Sequence, residues 1–147
     1  KSKHDIFLVK FKEIDEYYEN EIVHIIDNIS LNRDKLAVFF HLQMKYIEND
    51  LGWDVVRTIY EVELNTERES FFLIKDRPLY RILKKIFKDG QENGEFRTDL
   101  TPDDMLKICL RIMRGILYDW SIHKANFSLE KEQEILFRMM INEFANK

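Results

Sequence analysis

A single cysteine, Cys109, cannot close an intrachain disulfide, so no disulfide framework holds this sequence together. Two prolines and four glycines in 147 residues are too few turn-makers for the many short strands of a sheet protein. No run reaches the roughly 18 consecutive apolar residues of a membrane span, and no signal-peptide pattern is present; a cytoplasmic location is the expectation. Charge of one sign is also lacking. Twenty-three Lys and Arg face 27 Asp and Glu, a net charge of -4, which argues against nucleic-acid binding by this segment, because phosphate affinity needs clustered cations. The P-loop, G-x-S-x-G and H-E-x-x-H patterns are missing, and Cys109 has no credible base at a known spacing. The expectation is therefore no enzyme and no cofactor. Glu21 to His24 spells E-x-x-H, but a di-iron bundle needs two such motifs and further glutamates, so no metal is expected either.

What the sequence has in quantity is apolar residues at helical spacing: 45% are hydrophobic, with eleven Phe and six Tyr. An all-α single domain spanning residues 1–147 follows, an antiparallel bundle of about six helices. Rings at this density are hard to pack without gaps, so a cavity is expected. Phe7, Phe11, Ile14, Tyr18, Ile22, Ile25 and Ile29 keep one face of a long first helix, with Ser2 and Asp5 at its start. Asn32 or Ser30 can cap a second helix whose stripe is Leu36, Phe39, Phe40, Met44, Ile47 and Leu51, with Gly52 ending it. Gln43 falls on that stripe, and an amide among rings needs either a partner on another helix or a polar atom of a ligand. Trp53 to Leu64 reads as a short buried helix, and Glu63 on it is either an exposed glutamate or a receiver for a cationic ligand. Thr66 and Glu69 repeat the capping-box pattern ahead of Phe71, Phe72 and Leu73, which read as a lid.

The stretch from Gln91 to Lys124 organises the rest. Gly94 supplies the left-handed residue that stops the helix begun at Asp76 and Pro78, and Thr101, Pro102, Asp103 and Asp104 start the next. Met105, Cys109, Ile112, Ile116 and Trp120 form one stripe, and Leu106, Leu110, Met113 and Leu117 form a second beside it. Gly115 within that helix costs roughly 1 kcal/mol against alanine, which a close-approaching backbone would explain. Leu129 to Asn146 forms the last helix, with Leu136, Phe137, Met140 and Phe144 on its main stripe. Two broad apolar surfaces joined by a short turn predict an antiparallel hairpin that packs on its mate in a twofold homodimer. Cys109, Ile112, Gly115, Ile116, Trp120, Leu136, Phe137, Met140 and Phe144 are the expected interface.

The run from Gly90 to Trp120, GQENGEFRTDLTPDDMLKICLRIMRGILYDW, resembles the C-terminal part of tetracycline-repressor (TetR) family regulators, where GxxxGE(F/L)R…D precedes the two helices of the dimer interface. The opening Lys1-Ser2-Lys3-His4-Asp5-Ile6-Phe7 is similar to the seam that follows the recognition helix in the same family. The resemblance implies a ligand-sensing and dimerisation domain whose DNA-binding helix-turn-helix lies upstream, so that DNA is a partner only through that head. It implies a repressor, although some relatives activate or answer to protein partners. The first helix would connect head and sensor. A mostly hydrophobic effector with a polar or cationic end would sit among Phe11, Phe40, Gln43, Met44, Trp53, Tyr60 and Phe72, with Met113 or Leu117 as floor. Two other classes stay open on the residues alone: a helical interaction module without a pocket, and a small bundle enzyme in which Asp119 and His123 would be half a site.

Overall fold

The structure, a computed structural model, describes residues 3–65, 67 and 69–146; the expected caps at Ser2 and Thr66 lie outside them. The described residues are helical, apart from turns and an isolated antiparallel bridge between Phe96 and Ala145. No described helix is long and apolar enough to cross a membrane.

The first rod is α1 (Lys3–Tyr17), a π turn (Tyr18–Ile22) and α2 (Val23–Ile26), with helical dihedrals at Tyr17, Ile22 and Val23. The wider turn keeps residues four apart in line, so Ile14, Tyr18, Ile22 and Ile26 share the buried face. Ile25, placed there by a regular helical period, is exposed instead. A second π turn (Ile47–Leu51) extends α3 (Asn32–Tyr46) and stops at Gly52, whose φ of 84° is left-handed. Then follow α4 (Trp53–Glu63), a 3₁₀ turn (Phe71–Leu73) where the lid was expected, α5 (Pro78–Glu92), α6 (Pro102–Ile122) and α7 (Leu129–Phe144). Helix α3 packs on α7 and α5, while α4 lies between α1 and α6, and α5 lies on α6.

Carboxylates distant in sequence close two helix starts. Neither Asn32 nor Ser30 caps α3; Glu95 does, accepting from the Asn32 side chain at 2.8 Å and the Arg33 backbone N–H at 3.2 Å. Glu48 likewise accepts from the N–H groups of Leu129 and Glu130, each at 3.0 Å, at the start of α7. Thr101 caps α6 as expected, and its pairing with Asp104 is in addition a capping box. After the left-handed Gly94, Phe96 folds back onto α5 so tightly that a Cβ on Gly90 would lie 2.2 Å from its ring. That contact requires glycine.

The expected dimer residues divide into two sets. Cys109, Trp120, Phe137, Met140 and Phe144 are at most 5% exposed and belong to this chain's own core, so the structure corrects their assignment to a surface. Both helices present apolar residues on nearly all sides, and residue type alone could not say which stripe faces inward. Phe40 decides it for α7 by stacking on Phe137, centroids 4.0 Å apart. Ile112, Gly115, Ile116 and Leu136 remain on or near the surface, beside exposed Ile108, Ile122, Ile135 and Met139. Among the described residues, its own helical turn aside, nothing comes within 4 Å of a Cβ built on Gly115, so no close-approaching backbone among them explains that glycine.

Candidate functional site

Where α1, α3, α4, α5 and α6 converge they leave an interior cavity of about 60 Å³. Phe11, Gln43, Tyr60, Phe72, Met113 and Leu117 of the expected pocket line it. Three other expected residues do not. Phe40 and Met44 are buried with no measurable exposure, Phe40 against Phe137, and Trp53 sits half-buried at the start of α4 with the Arg57 guanidinium 5.4 Å from its ring centre. The reason lies in helix geometry: Gln43 and Ile47 share the side of α3 that faces α1, whereas Phe40 and Met44 lie one residue's rotation towards α7. Both π turns contribute to the wall, through Tyr18 and through Ile47 and Leu51.

The polar lining was less legible. Gln43 Nε2 donates to the Tyr18 hydroxyl at 2.8 Å and lies 3.0 Å from Met113 Sδ, but Gln43 Oε1 has no hydrogen-bond partner. Arg77, the residue before Pro78, turns inward at 7% exposure, donates to Asp15 Oδ1 at 2.9 Å and lies 4.2 Å over the Phe11 ring. Burial works against its charge, and the Asp15 carboxylate more than offsets this, so its pKa is raised. Arg114 donates to the Phe72 carbonyl at 3.3 Å and the Tyr80 hydroxyl at 3.1 Å. The Nε atoms of both arginines are buried without a hydrogen-bond partner. Burial pushes Tyr18 up to about 12, against the hydrogen bond from Gln43, and raises Tyr60, whose hydroxyl donates to the Arg114 carbonyl at 2.9 Å. Both phenols therefore stay protonated at neutral pH.

Two cations and no carboxylate line the cavity, which runs against the expected cationic end of an effector. Glu63, the residue that would have received one, instead accepts from the backbone N–H groups of Phe71 and Phe72, each at 3.1 Å, and from the Ser70 hydroxyl. It holds the 3₁₀ turn over the cavity. The sequence signals that could have pointed to the arginines are weak: Arg77 stands at a helix start, and Arg114 is the one charged residue flanked by the inward Met113 and the stripe leading to Leu117.

Elsewhere the candidate groups are dispersed. Burial pushes the Cys109 thiol up, which leaves it inert at neutral pH. Asp119 and His123 sit exposed on α6, with His123 Nδ1 2.8 Å from the Asp119 carbonyl, in a groove of about 450 Å³ shared with Ile116, Ile135, Leu136 and Met139. Glu21 and His24 are exposed on the first rod, and His41 lies 3.6 Å from Glu130. The geometry thus defines a helical bundle with a ring-lined, cation-bearing interior space and an apolar outer face on α6 and α7. No family model, curated protein or solved structure matches the chain.

Proposed function

We propose that this chain is the effector-binding and dimerisation domain of a TetR-like transcriptional regulator, in which a small molecule in the cavity alters DNA binding by a helix-turn-helix of the parent protein. The observation that carries the reading is the ring-lined cavity whose lining residues include three with a buried, unpartnered polar atom: Gln43 Oε1, Arg77 Nε and Arg114 Nε. Leaving such groups buried and unpaired costs about 1–3 kcal/mol each, a cost that a ligand able to reach them removes. At about 60 Å³ the space is well below the roughly 300–1,000 Å³ of ligand pockets, so binding must enlarge it. Enlargement towards the wall that Phe11 and Ile14 contribute displaces α1. That is the helix the family resemblance makes the connector to DNA. Moving such a balance from 1:99 to 99:1 takes about 5.5 kcal/mol of differential affinity, within the roughly 8 kcal/mol total of a micromolar ligand.

The dimerisation half of the proposal rests on the outward face of α6 and α7, where Ile122 is 58%, Ile135 54% and Met139 66% exposed. An apolar face of this kind is a liability on a monomer. A mate burying at least about 1,600 Å² in total would cover it, with Ile112, Gly115, Ile116 and Leu136 retained from the expected interface. Light scattering tests it: a dimer at tens of micromolar is expected, and Gly115→Arg is expected to give monomers. A parent chain that is monomeric at that concentration overturns the reading. Residues 1–147 alone are expected to give no sequence-selective gel shift at physiological salt, given the net charge of -4. The small volume favours a second reading, a helical interaction module whose cavity is only a packing fault. In that case no small molecule raises the melting temperature.

A further inference from the structure

Phe72, Tyr80 and Arg114 line the interior cavity on one side and an outer groove of about 810 Å³ on the other. They are a wall one side chain thick. The Tyr80 hydroxyl donates to the Phe72 carbonyl, Arg114 donates to both at 3.3 and 3.1 Å, and the guanidinium lies 5.0 Å from the Phe72 ring centre. The segment carrying Phe72 is a single 3₁₀ turn between extended residues, Ser70 and Ile74, so the wall is held by these bonds and by Glu63 rather than by packing of a long helix.

The groove is basic in an acidic chain. Lys75, Arg81, Lys84, Lys107, Arg111 and Arg114 border it against two carboxylates, Asp76 and Asp103. Arg81 pairs with Glu19 at 2.6 Å and Lys84 with Asp103 at 3.0 Å, whereas Lys75, Lys107, Arg111 and Arg114 make no ion pair among the described residues. Arg77, just inside, has its charge balanced by Asp15; Arg114 does not. An unbalanced guanidinium with a buried Nε can receive a carboxylate through two parallel N–H···O bonds, exchanging a neutral carbonyl partner for a charged one.

We infer that the effector is an apolar carboxylate, steered in along the basic groove and anchored by Arg114, with its apolar body displacing Phe72 into the space lined by Ile14, Ile59 and Leu117. The inference rests on the sensor reading and names its ligand class. Displacing Phe72 joins groove and cavity into a volume large enough for such a ligand.

The test titrates residues 1–147 calorimetrically with sodium decanoate and sodium 2-naphthoate, with decan-1-ol and 2-naphthalenemethanol as neutral counterparts, and with decyltrimethylammonium. Carboxylates are expected to bind about tenfold or more tighter than their alcohols, with the ammonium weakest and added NaCl eroding the difference. Arg114→Gln is expected to remove about that tenfold preference while leaving alcohol binding within about twofold, and Arg111→Gln in the outer groove is expected to change carboxylate affinity by less than about threefold. Should Arg114→Gln not fold, the charge series on the parent chain still decides. Alcohols or the ammonium binding as tightly as the carboxylates overturns the anionic ligand and leaves the sensor reading standing. Equal losses in Arg111→Gln and Arg114→Gln place binding on the groove surface and also overturn it. Failure of every compound in the series to bind overturns the inference; if a broad set of neutral and charged small molecules also fails, the sensor reading falls with it.

Discussion

The two halves of this bundle are built from the same residue types and end in different states. Between α3 and α7, Phe40 stacks flat on Phe137, Phe39 meets Phe40 edge-on at 5.3 Å, and Met44 and Leu36 fill what is left with no measurable exposure. Between α1, α4, α5 and α6 there are as many rings, Phe11, Tyr18, Tyr60, Phe72 and Tyr80 among them, but here a cavity persists. The difference is polarity, not ring count. Tyrosine hydroxyls, an amide and two guanidinium groups each fix a direction for their hydrogen bonds, and satisfying some of them leaves Gln43 Oε1 and the two Nε atoms stranded. Rings that meet without directional groups between them, as Phe40 and Phe137 do, can be compressed to native density; rings interleaved with directional groups cannot close around them completely.

The largest effect that would break this comparison is at Phe40. Phe40→Ala is expected to destabilise the chain by about 3–5 kcal/mol in urea denaturation, because it opens a cavity where Phe40 now stacks on Phe137. It is expected to leave ligand binding unchanged wherever the variant still folds. A loss below about 1 kcal/mol would show that the α3–α7 half is loosely packed after all. Gly90→Ala comes next, at about 1–3 kcal/mol, since its Cβ would stand 2.2 Å from the buried Phe96 ring; thermal unfolding reads it directly.

On the polar side the Gln43–Tyr18 pair sharpens the contrast. Gln43→Leu leaves the Tyr18 hydroxyl without its amide partner, at a cost of about 1–2 kcal/mol, whereas Gln43→Leu with Tyr18→Phe removes both groups and is expected to return close to the parent. Costs that simply add would mean the pair is not coupled. Glu95→Gln weakens the α3 cap by about 1 kcal/mol at neutral pH. Partial burial works to raise the Glu95 carboxyl, but hydrogen bonds from Asn32, Asn93 and the backbone outweigh it and lower its pKa in the fold. Its contribution is therefore complete above the ordinary glutamate range and lost as pH falls through the depressed folded value, so parent and variant stabilities converge in acid. A constant difference down to low pH would contradict that. Smallest is Gly115→Ala, where no atom of this chain lies in the way: scanning calorimetry on dilute protein should show a gain of about 0.5–1 kcal/mol.

Helix existence and the sharp boundaries at Gly52, Gly94 and Thr101 were legible in the sequence because each depends on a local rule: a left-handed residue or a capping side chain. The caps supplied by Glu48 and Glu95 were not, since they come from far along the chain and no local pattern carries them. The π turn at Tyr18–Ile22 defeated the helical period and moved burial from Ile25 to Ile26. Six of the nine expected pocket residues line one space because they share faces that point between helices. Arg77 and Arg114 escaped notice because charged residues are exposed by default, and only the tertiary arrangement turns these two towards a cavity. The α6–α7 hairpin shows the same limit from the other side: two apolar stripes on each helix, with α3 against α7 and α4 and α5 against α6 deciding which becomes the core.

The account holds that the α1–α4–α5–α6 half opens for a small molecule and the α3–α7 half does not. A thermal-shift screen of small apolar and amphipathic compounds, run in parallel on the parent and on Met113→Trp, addresses this most directly. Indole at position 113 fills the cavity, which holds only about 60 Å³. Compounds that raise the melting temperature of the parent are predicted to lose that effect in the filled variant, which itself stays folded. Hits that stabilise both proteins equally, or a parent chain that no compound stabilises, would contradict it.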